Sequence, residues 1–264
     1  MKRKKLLSVI VPAYRQEKTI VKDLKNIEAV LKQIRFDYEI ICVVDGKVDK
    51  TYEKAKRIAS GKIKIYGYKD NKGKGYTVRF GMARASGDFI AFIDAGMDIN
   101  PNGIAILLEH MLWYKSDVIV GSIRHSASKV IGYPSKRKIF SIGYHWMTRF
   151  FFGLRITDSQ RGLKIFKRGV LEKVLPRLMV KTFAFDIEML AVARLLGFKK
   201  IHDGPVVMDA RKFKNSSIKT ATIFYMLLDT LAIYYRLNIL HFYNGKNKKK
   251  WVYDKDLQMK ISVA

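Results

Sequence analysis

The sequence predicts an α/β fold, a mostly parallel Rossmann-like sheet flanked by helices. Short apolar runs bounded by polar turn residues alternate with stretches whose apolar residues recur at helical spacing. That alternation is the signature of strand–helix–strand units in a parallel sheet. Most of the runs are apolar throughout, as strands covered on both faces are, while 62–68 alternates polar and apolar residues. Hydrophobic residues make up 48% of 264 positions, enough for a large core and too many for a disordered chain.

The elements follow in order. Residues 6–11 form an apolar run halted by Pro12, and 19–34 carry Ile20, Leu24, Ile27, Leu31 and Ile34 on one helical face. Strands are expected over 38–44 and 62–68, with a short helix over 49–58 between them. A helix over 75–85 leads to a central strand over 88–93. Residues 101–113 make a helix with Pro101 in its first turn, and 117–121 another strand. The second half is less regular. An aromatic-rich helix spans 134–153, a short strand 162–166, a helix 184–196 stopped by Gly197, and a strand 200–208. Residues 217–242 read as a long amphipathic helix or helix pair. From Gly245-Lys-Asn-Lys-Lys-Lys250 onward the chain reads as a basic, weakly ordered tail. The expected units are a domain over 1–215, a helical, interfacial segment over 216–243 and a tail over 244–264.

The formal net charge is +28, from 51 Lys+Arg against 23 Asp+Glu, which implies an anionic partner: nucleic acid, an anionic membrane surface or a phosphorylated substrate. The single cysteine, Cys42, excludes an intrachain disulfide and reads as a small core residue. Met1-Lys-Arg-Lys-Lys5 runs straight into a strand with no signal-peptide pattern. No apolar stretch reaches the roughly 18–20 residues of a spanning helix, and Asp229 interrupts the longest candidate. The expected location is cytoplasmic, peripheral on a membrane face.

Three turns follow the first, second and fourth strands, and a parallel sheet brings them to one edge. They supply Pro12, Tyr14 and Glu17; Asp45; and the pair Asp94 and Asp98. A ring can stack on a base, and a carboxylate can accept from base N–H groups or ribose hydroxyls. Two carboxylates make a hard oxygen site suited to Mg²⁺ or Mn²⁺ carrying a diphosphate. Taken singly, each turn is more simply a solvated loop; together they favour a nucleotide site. Asn71-Lys-Gly73-Lys74-Gly75 opens the next helix, where backbone N–H groups and Lys74 can meet an anion.

These residues resemble family 2 glycosyltransferases of the GT-A fold, and more closely the branch that glycosylates polyprenyl or dolichyl phosphate. Ser8-Val-Ile-Val-Pro12-Ala-Tyr14 is similar to that family's first strand, and Asp45-Gly46 sits where it carries Asp-Asp-Gly-Ser. Asn71 to Gly75, Asp158-Ser-Gln-Arg-Gly162-Leu-Lys164-Ile-Phe166 and Phe183-Ala-Phe185-Asp186-Ile-Glu188 resemble successive blocks of the dolichyl-phosphate glucosyltransferases. Departures stand beside these matches. Val44 replaces the first Asp of Asp-Asp-Gly-Ser, Gln16 a frequent glutamate, and Gly96 the second Asp of Asp-x-Asp.

The resemblance implies an inverting transfer of a hexose from UDP- or GDP-hexose to a polyprenyl-phosphate lipid. Asp94 and Asp98 would share Mg²⁺ or Mn²⁺, and Lys74 and Arg211 would meet the diphosphate. Arg124, Arg137 and Ser141 would hold the acceptor phosphate. Asp94, Asp158 and Asp186 are the catalytic candidates, and Asp158, Asp186 and Glu188 the candidates for orienting sugar hydroxyls or arginines. A structural turn at Asp158 and a helix cap at Asp186 explain those residues equally well. A saccharide or lipid hydroxyl acceptor would need a base, for which Asp186 is the candidate. Two other classes stay open. A basic nucleic-acid-binding protein is prompted by the charge, although no module signature is present and no nucleic acid is expected. A non-catalytic scaffold of the same fold is prompted by Gly96.

Overall fold

The structure is a computed structural model that describes residues 4–133, 135–211, 220–244 and 250–263, the side chains of 135–140 and 220–223 excepted. The first half contains β1 (Leu6–Ala13), α1 (Ile20–Leu31), β2 (Asp37–Val44), α2 (Thr51–Lys56), β3 (Ile63–Gly67), α3 (Lys74–Ala83), β4 (Phe89–Ile93), α4 (Asn102–Trp113) and β5 (Val118–Ser122). After these come β6 (Lys129–Ile131), α5 (Ser135–Phe152), β7 (Leu163–Lys167), α6 (Arg168–Val174), α7 (Phe185–Leu195), β8 (Ile201–Pro205), β9 (Val207–Asp209) and α8 (Thr220–Tyr234). A hairpin of β10 (Lys250–Asp254) and β11 (Met259–Val263) follows.

Seven strands form one sheet in the order β3-β2-β1-β4-β7-β5-β8. β1 lies parallel to β2 and β4, β2 to β3, and β5 to β8. β7 alone is antiparallel, filling the gap between β4 and β5. Its direction matters. It brings the start of β7 to the edge where β4 ends, with Leu163 opposite Ile93.

Side chains alternate across the sheet, so β1 sends Leu7, Val9 and Val11 to a core under α1 and α4, and Ile10 to a core under α3 and α7. The second core continues through Tyr144 and Phe152 of α5 and Ile233 of α8. Cys42 is fully buried in the first, its thiol pushed up to about 12 by burial and by Asp23.

Several expectations are corrected. Pro12 does not halt β1, which runs to Ala13; proline is tolerated near a strand end because only one ladder donor is lost. Residues 200–208 divide at Pro205 into β8 in the main sheet and β9, which pairs with β6. α6 and β6 went unread, being short. The residues expected to form a weakly ordered tail form the β10–β11 hairpin over 250–263, with Leu257 and Ser262 buried. Asp229 of α8 accepts from Thr182 Oγ1, which ties that helix to the loop before α7. Among the described residues no helix is long and apolar enough to cross a membrane.

Candidate active site

The edge where β1, β2 and β4 end carries the site. The turn after β4 is shaped by its backbone: Gly96 has φ +93° and Met97 φ +53°. Side chains other than glycine rarely adopt the first of these values, so aspartate is a poor residue at 96. The Gly96 N–H donates to Asp23 Oδ2 of α1 at 3.0 Å. Asp23 is 4% exposed, an acid on the apolar face of its helix. Sequence reading passed over it, although its place three residues after Ile20 was a usable signal.

Asp94 accepts from Lys74 Nζ at 2.7 Å through Oδ2, while Oδ1 is buried without a hydrogen-bond partner among the described residues. Burial works against the Lys74 charge, but Asp94, then Asp186 and Asp98, outweigh it and hold the ammonium above its ordinary range. Asp98 faces the same cluster. Burial and then the Asp94 charge push its carboxyl up, with Lys74 opposing. An unpartnered buried carboxylate oxygen beside a second, destabilised carboxylate is a donor set that fits a divalent cation. No larger cluster of metal-ligating side chains occurs among the described residues.

Asp45 stands at this edge, but its oxygens are occupied. It accepts from Tyr68 Oη at 3.0 Å, Lys72 N at 2.8 Å, Asn71 Nδ2 at 2.9 Å and Gly73 N at 3.1 Å. Four donors fill a carboxylate. Its work in this structure is to hold the loop that presents Lys74. Gly73 has φ +93°, and a Cβ there would lie 2.5 Å from the Lys181 carbonyl oxygen, so the loop passes where only glycine fits. Tyr14 is half-buried with Arg15 over its ring at 5.3 Å. Glu17 accepts from Lys50 N at 3.2 Å, joining the first turn to the second, and the Pro12 carbonyl accepts from Ala95 N at 3.4 Å.

Beneath Asp94 lies an ion pair whose lysine drew no functional assignment from the sequence. Lys164, fully buried in β7, donates to Asp186 and, at 2.6 Å, to the Arg161 carbonyl oxygen. Burial pushes Lys164 down and Asp186 up. A lysine inside an otherwise apolar strand was the signal. Asp186 is 2% exposed, so it is enclosed rather than open to an acceptor hydroxyl. Glu188 is also structural, accepting from Met179 N and Val180 N at 2.9 Å each and from Tyr243 Oη at 2.6 Å. Asp158 pairs with Arg161 Nε at 2.6 Å, and Arg161 reaches Tyr133 Oη at 2.9 Å.

On the far side, Arg124 donates to Ser141 Oγ at 2.8 Å, bringing the end of β5 against α5. Burial, Arg124 and Arg149 together push His145 down. The Arg137 side chain lies outside the described residues. Arg211 is exposed and forms a two-point pair with Asp209, at 2.8 and 2.9 Å. The described contacts do not bring it to Asp94. Its neighbour β9 does reach the site, since Asp209 N donates to the Asp98 carbonyl at 2.8 Å.

The model of "Glycosyl transferase family 2" matches residues 8–175, which holds β1 through α6 and the whole Asp94 edge. The chain belongs to that family. The Drosophila melanogaster protein named dolichyl-phosphate beta-glucosyltransferase is 33% identical over 205 residues, covering 72% of this chain and 63% of the relative. A Trichomonas vaginalis protein named dolichyl-phosphate beta-glucosyltransferase ALG5D is 30% identical over 250 residues, covering 88% of this chain and 75% of its own. The chain thus spans somewhat under two thirds of the Drosophila protein. Among solved structures, glucosyl-3-phosphoglycerate synthase from Mycobacterium tuberculosis, in complex with Mn²⁺ and UDP-glucose, superposes with a TM-score of 0.66 at 18% identity. That match covers 98% of this chain and 86% of that one. At that identity the likeness establishes the GT-A fold.

Proposed function

We propose that this glycosyltransferase moves glucose, with inversion, from UDP-glucose to the phosphate of a dolichyl or polyprenyl lipid, using Mg²⁺ or Mn²⁺. The observation that carries the reading is the Asp94–Lys74 pair at the sheet edge, with Asp94 Oδ1 buried and, among the described residues, unpartnered beside Asp98. The names of the relatives from fly and Trichomonas support the sugar and the acceptor. The Mn²⁺ and UDP-glucose of the mycobacterial structure support the donor and the cation.

Asp94 and Asp98 would hold the cation, which supplies charge neutralisation to the leaving diphosphate. Lys74, kept protonated by its carboxylate neighbours, adds a second positive charge at the same place. Asp45 keeps the loop of Lys74 in position, Tyr14 offers a ring to the base, and Arg211 would reach the diphosphate only on leaving its pair with Asp209. Arg124 and Ser141, joined at 2.8 Å, take the acceptor phosphate together with Arg137. The acceptor oxygen is anionic at neutral pH, so no side chain need remove a proton. That oxygen bonds to the anomeric carbon as the bond from that carbon to the nucleotide oxygen breaks, and the electron pair leaves with UDP. Asp186 and Asp158 act from below, as partners of Lys164 and Arg161. The exposed Trp146, Phe150, Phe224 and Leu231 of α5 and α8, with the strong positive charge, favour docking on an anionic membrane face.

The test is a donor screen against a short polyprenyl phosphate, with Asp94→Asn as control. The expected result is transfer from UDP-glucose ahead of GDP-mannose, and loss of at least ~2 kcal/mol of transition-state stabilisation in the variant. Transfer at the wild-type rate by Asp94→Asn would remove Asp94 from the chemistry.

A further inference from the structure

We propose that the β10–β11 hairpin braces the donor loop, with Asp256 as the residue that positions Lys72, Gly73 and Lys74. This deepens the donor-site reading given above and rests on it. The hairpin lies far from the loop in sequence and closes onto it in space. Asp256, in the hairpin turn, accepts from Lys72 Nζ at 3.1 Å and from Tyr76 Oη at 3.2 Å. Its carbonyl oxygen accepts from Arg84 Nη2 at 2.7 Å, so backbone and side chain of one residue reach both ends of α3. Leu257 beside it is buried, and Asp254 Oδ1 accepts from Leu257 N at 2.9 Å, fixing the turn that presents Asp256. At the hairpin's other end Trp251 lies under the Arg177 guanidinium, 5.5 Å from its ring centre.

Lys72 is therefore held at both ends. Its backbone N–H is bound to Asp45 of the sheet, and its ammonium to Asp256 of the hairpin. Between them its ammonium also lies over the rings of Tyr68 and Tyr76, at 5.3 and 4.7 Å. Tyr68 in turn donates to Asp45. Two residues further along, Lys74 meets Asp94. A loop whose N–H groups at Lys72 and Gly73 are secured to Asp45 on one side, and whose Lys72 ammonium is secured to the hairpin on the other, keeps Lys74 in place for an anion before the donor arrives, and such preorganisation lowers the cost of binding. The Lys72–Asp256 pair is largely solvent-exposed, with side chains 36% and 61% exposed. Such a pair contributes little to global stability. Its loss should thus register in donor binding and loop motion rather than in unfolding.

The experiment compares wild type, Asp256→Ala and Asp256→Glu by amide hydrogen exchange of residues 70–76 and by steady-state kinetics with UDP-glucose. The expected result for Asp256→Ala is faster exchange at Lys72 and Gly73, a donor KM raised about three- to tenfold, kcat within about twofold and an unchanged Tm. Asp256→Glu should restore most of the KM. Unchanged exchange, or unchanged KM despite faster exchange, overturns the proposal, as does a fall in Tm that accounts for the whole effect. Should wild type turn over no UDP-glucose, it is the functional reading that fails, and the exchange data still decide whether the hairpin braces the loop.

Discussion

Gly162 and Asp94 are so closely apposed that a Cβ on the glycine would lie 2.0 Å from Asp94 Oδ2. The contact follows from β7 running antiparallel beside β4, with Asp94 N donating to the Gly162 carbonyl at 3.0 Å. The oxygen that would be displaced is the one Lys74 binds.

Gly162→Ala is therefore expected to push the Asp94 carboxylate off its position and break its pairing with Lys74. The predicted outcome is a fall in kcat/KM of about a hundredfold, in the range for losing one electrostatic group at a reacting centre. Circular dichroism should show the fold retained. Kinetics on the folded variant check it; an alanine tolerated without loss would mean that Asp94 need not stand where it does.

The Lys164–Asp186 pair makes a prediction about stability. Both are buried, so removing one partner strands a charge in the core. Lys164→Met is expected to cost about 3–5 kcal/mol in urea denaturation, and Lys164→Met with Asp186→Leu to recover most of it. The double variant should remain impaired in turnover, because the support under Lys74 and Asp94 is gone. Equal stability of single variant and wild type would contradict the pairing.

Glu39 predicts a pH dependence. Burial works to raise its carboxyl, but Lys64 at 2.8 Å and the donors of Ser8 and Ser86 outweigh it and bring the value from 4.5 to about 2. A depressed folded-state value means stability that is present above the unfolded value and lost as pH falls through the folded one. The protein should thus lose stability between about pH 4.5 and 2 through this group. In Glu39→Gln that segment of the curve should flatten, and stability at pH 7 should drop by about 1–3 kcal/mol. Thermal unfolding across that pH range, on both proteins, is the check.

Much of the fold was legible because it rests on local signals. The uninterrupted apolar runs marked β1, β2 and β4, and helical spacing marked α1, α4 and α7. The antiparallel insertion of β7 was not legible, since strand order depends on long-range packing that no local pattern encodes. The hairpin was missed because the lysine run that leads into it suggested solvation, while the contacts of Asp256 lie in and beside a helix far away in sequence. At the site, Asp94, Asp98 and Lys74 were readable as a carboxylate turn and a glycine-flanked lysine. The saturation of Asp45 by its loop was not, because it depends on four donors converging in space. Gly96 reads in sequence only as a departure from Asp-x-Asp; in the structure its backbone lies at φ +93°, where an aspartate would be strained.

Calorimetric titration of UDP, with and without Mn²⁺, on wild type and Asp94→Asn tests the central claim most directly. The account predicts that Mn²⁺ raises UDP affinity by at least about tenfold in wild type and by nothing measurable in the variant. An equal gain in both proteins, or none in wild type, would contradict a cation held by Asp94 and Asp98.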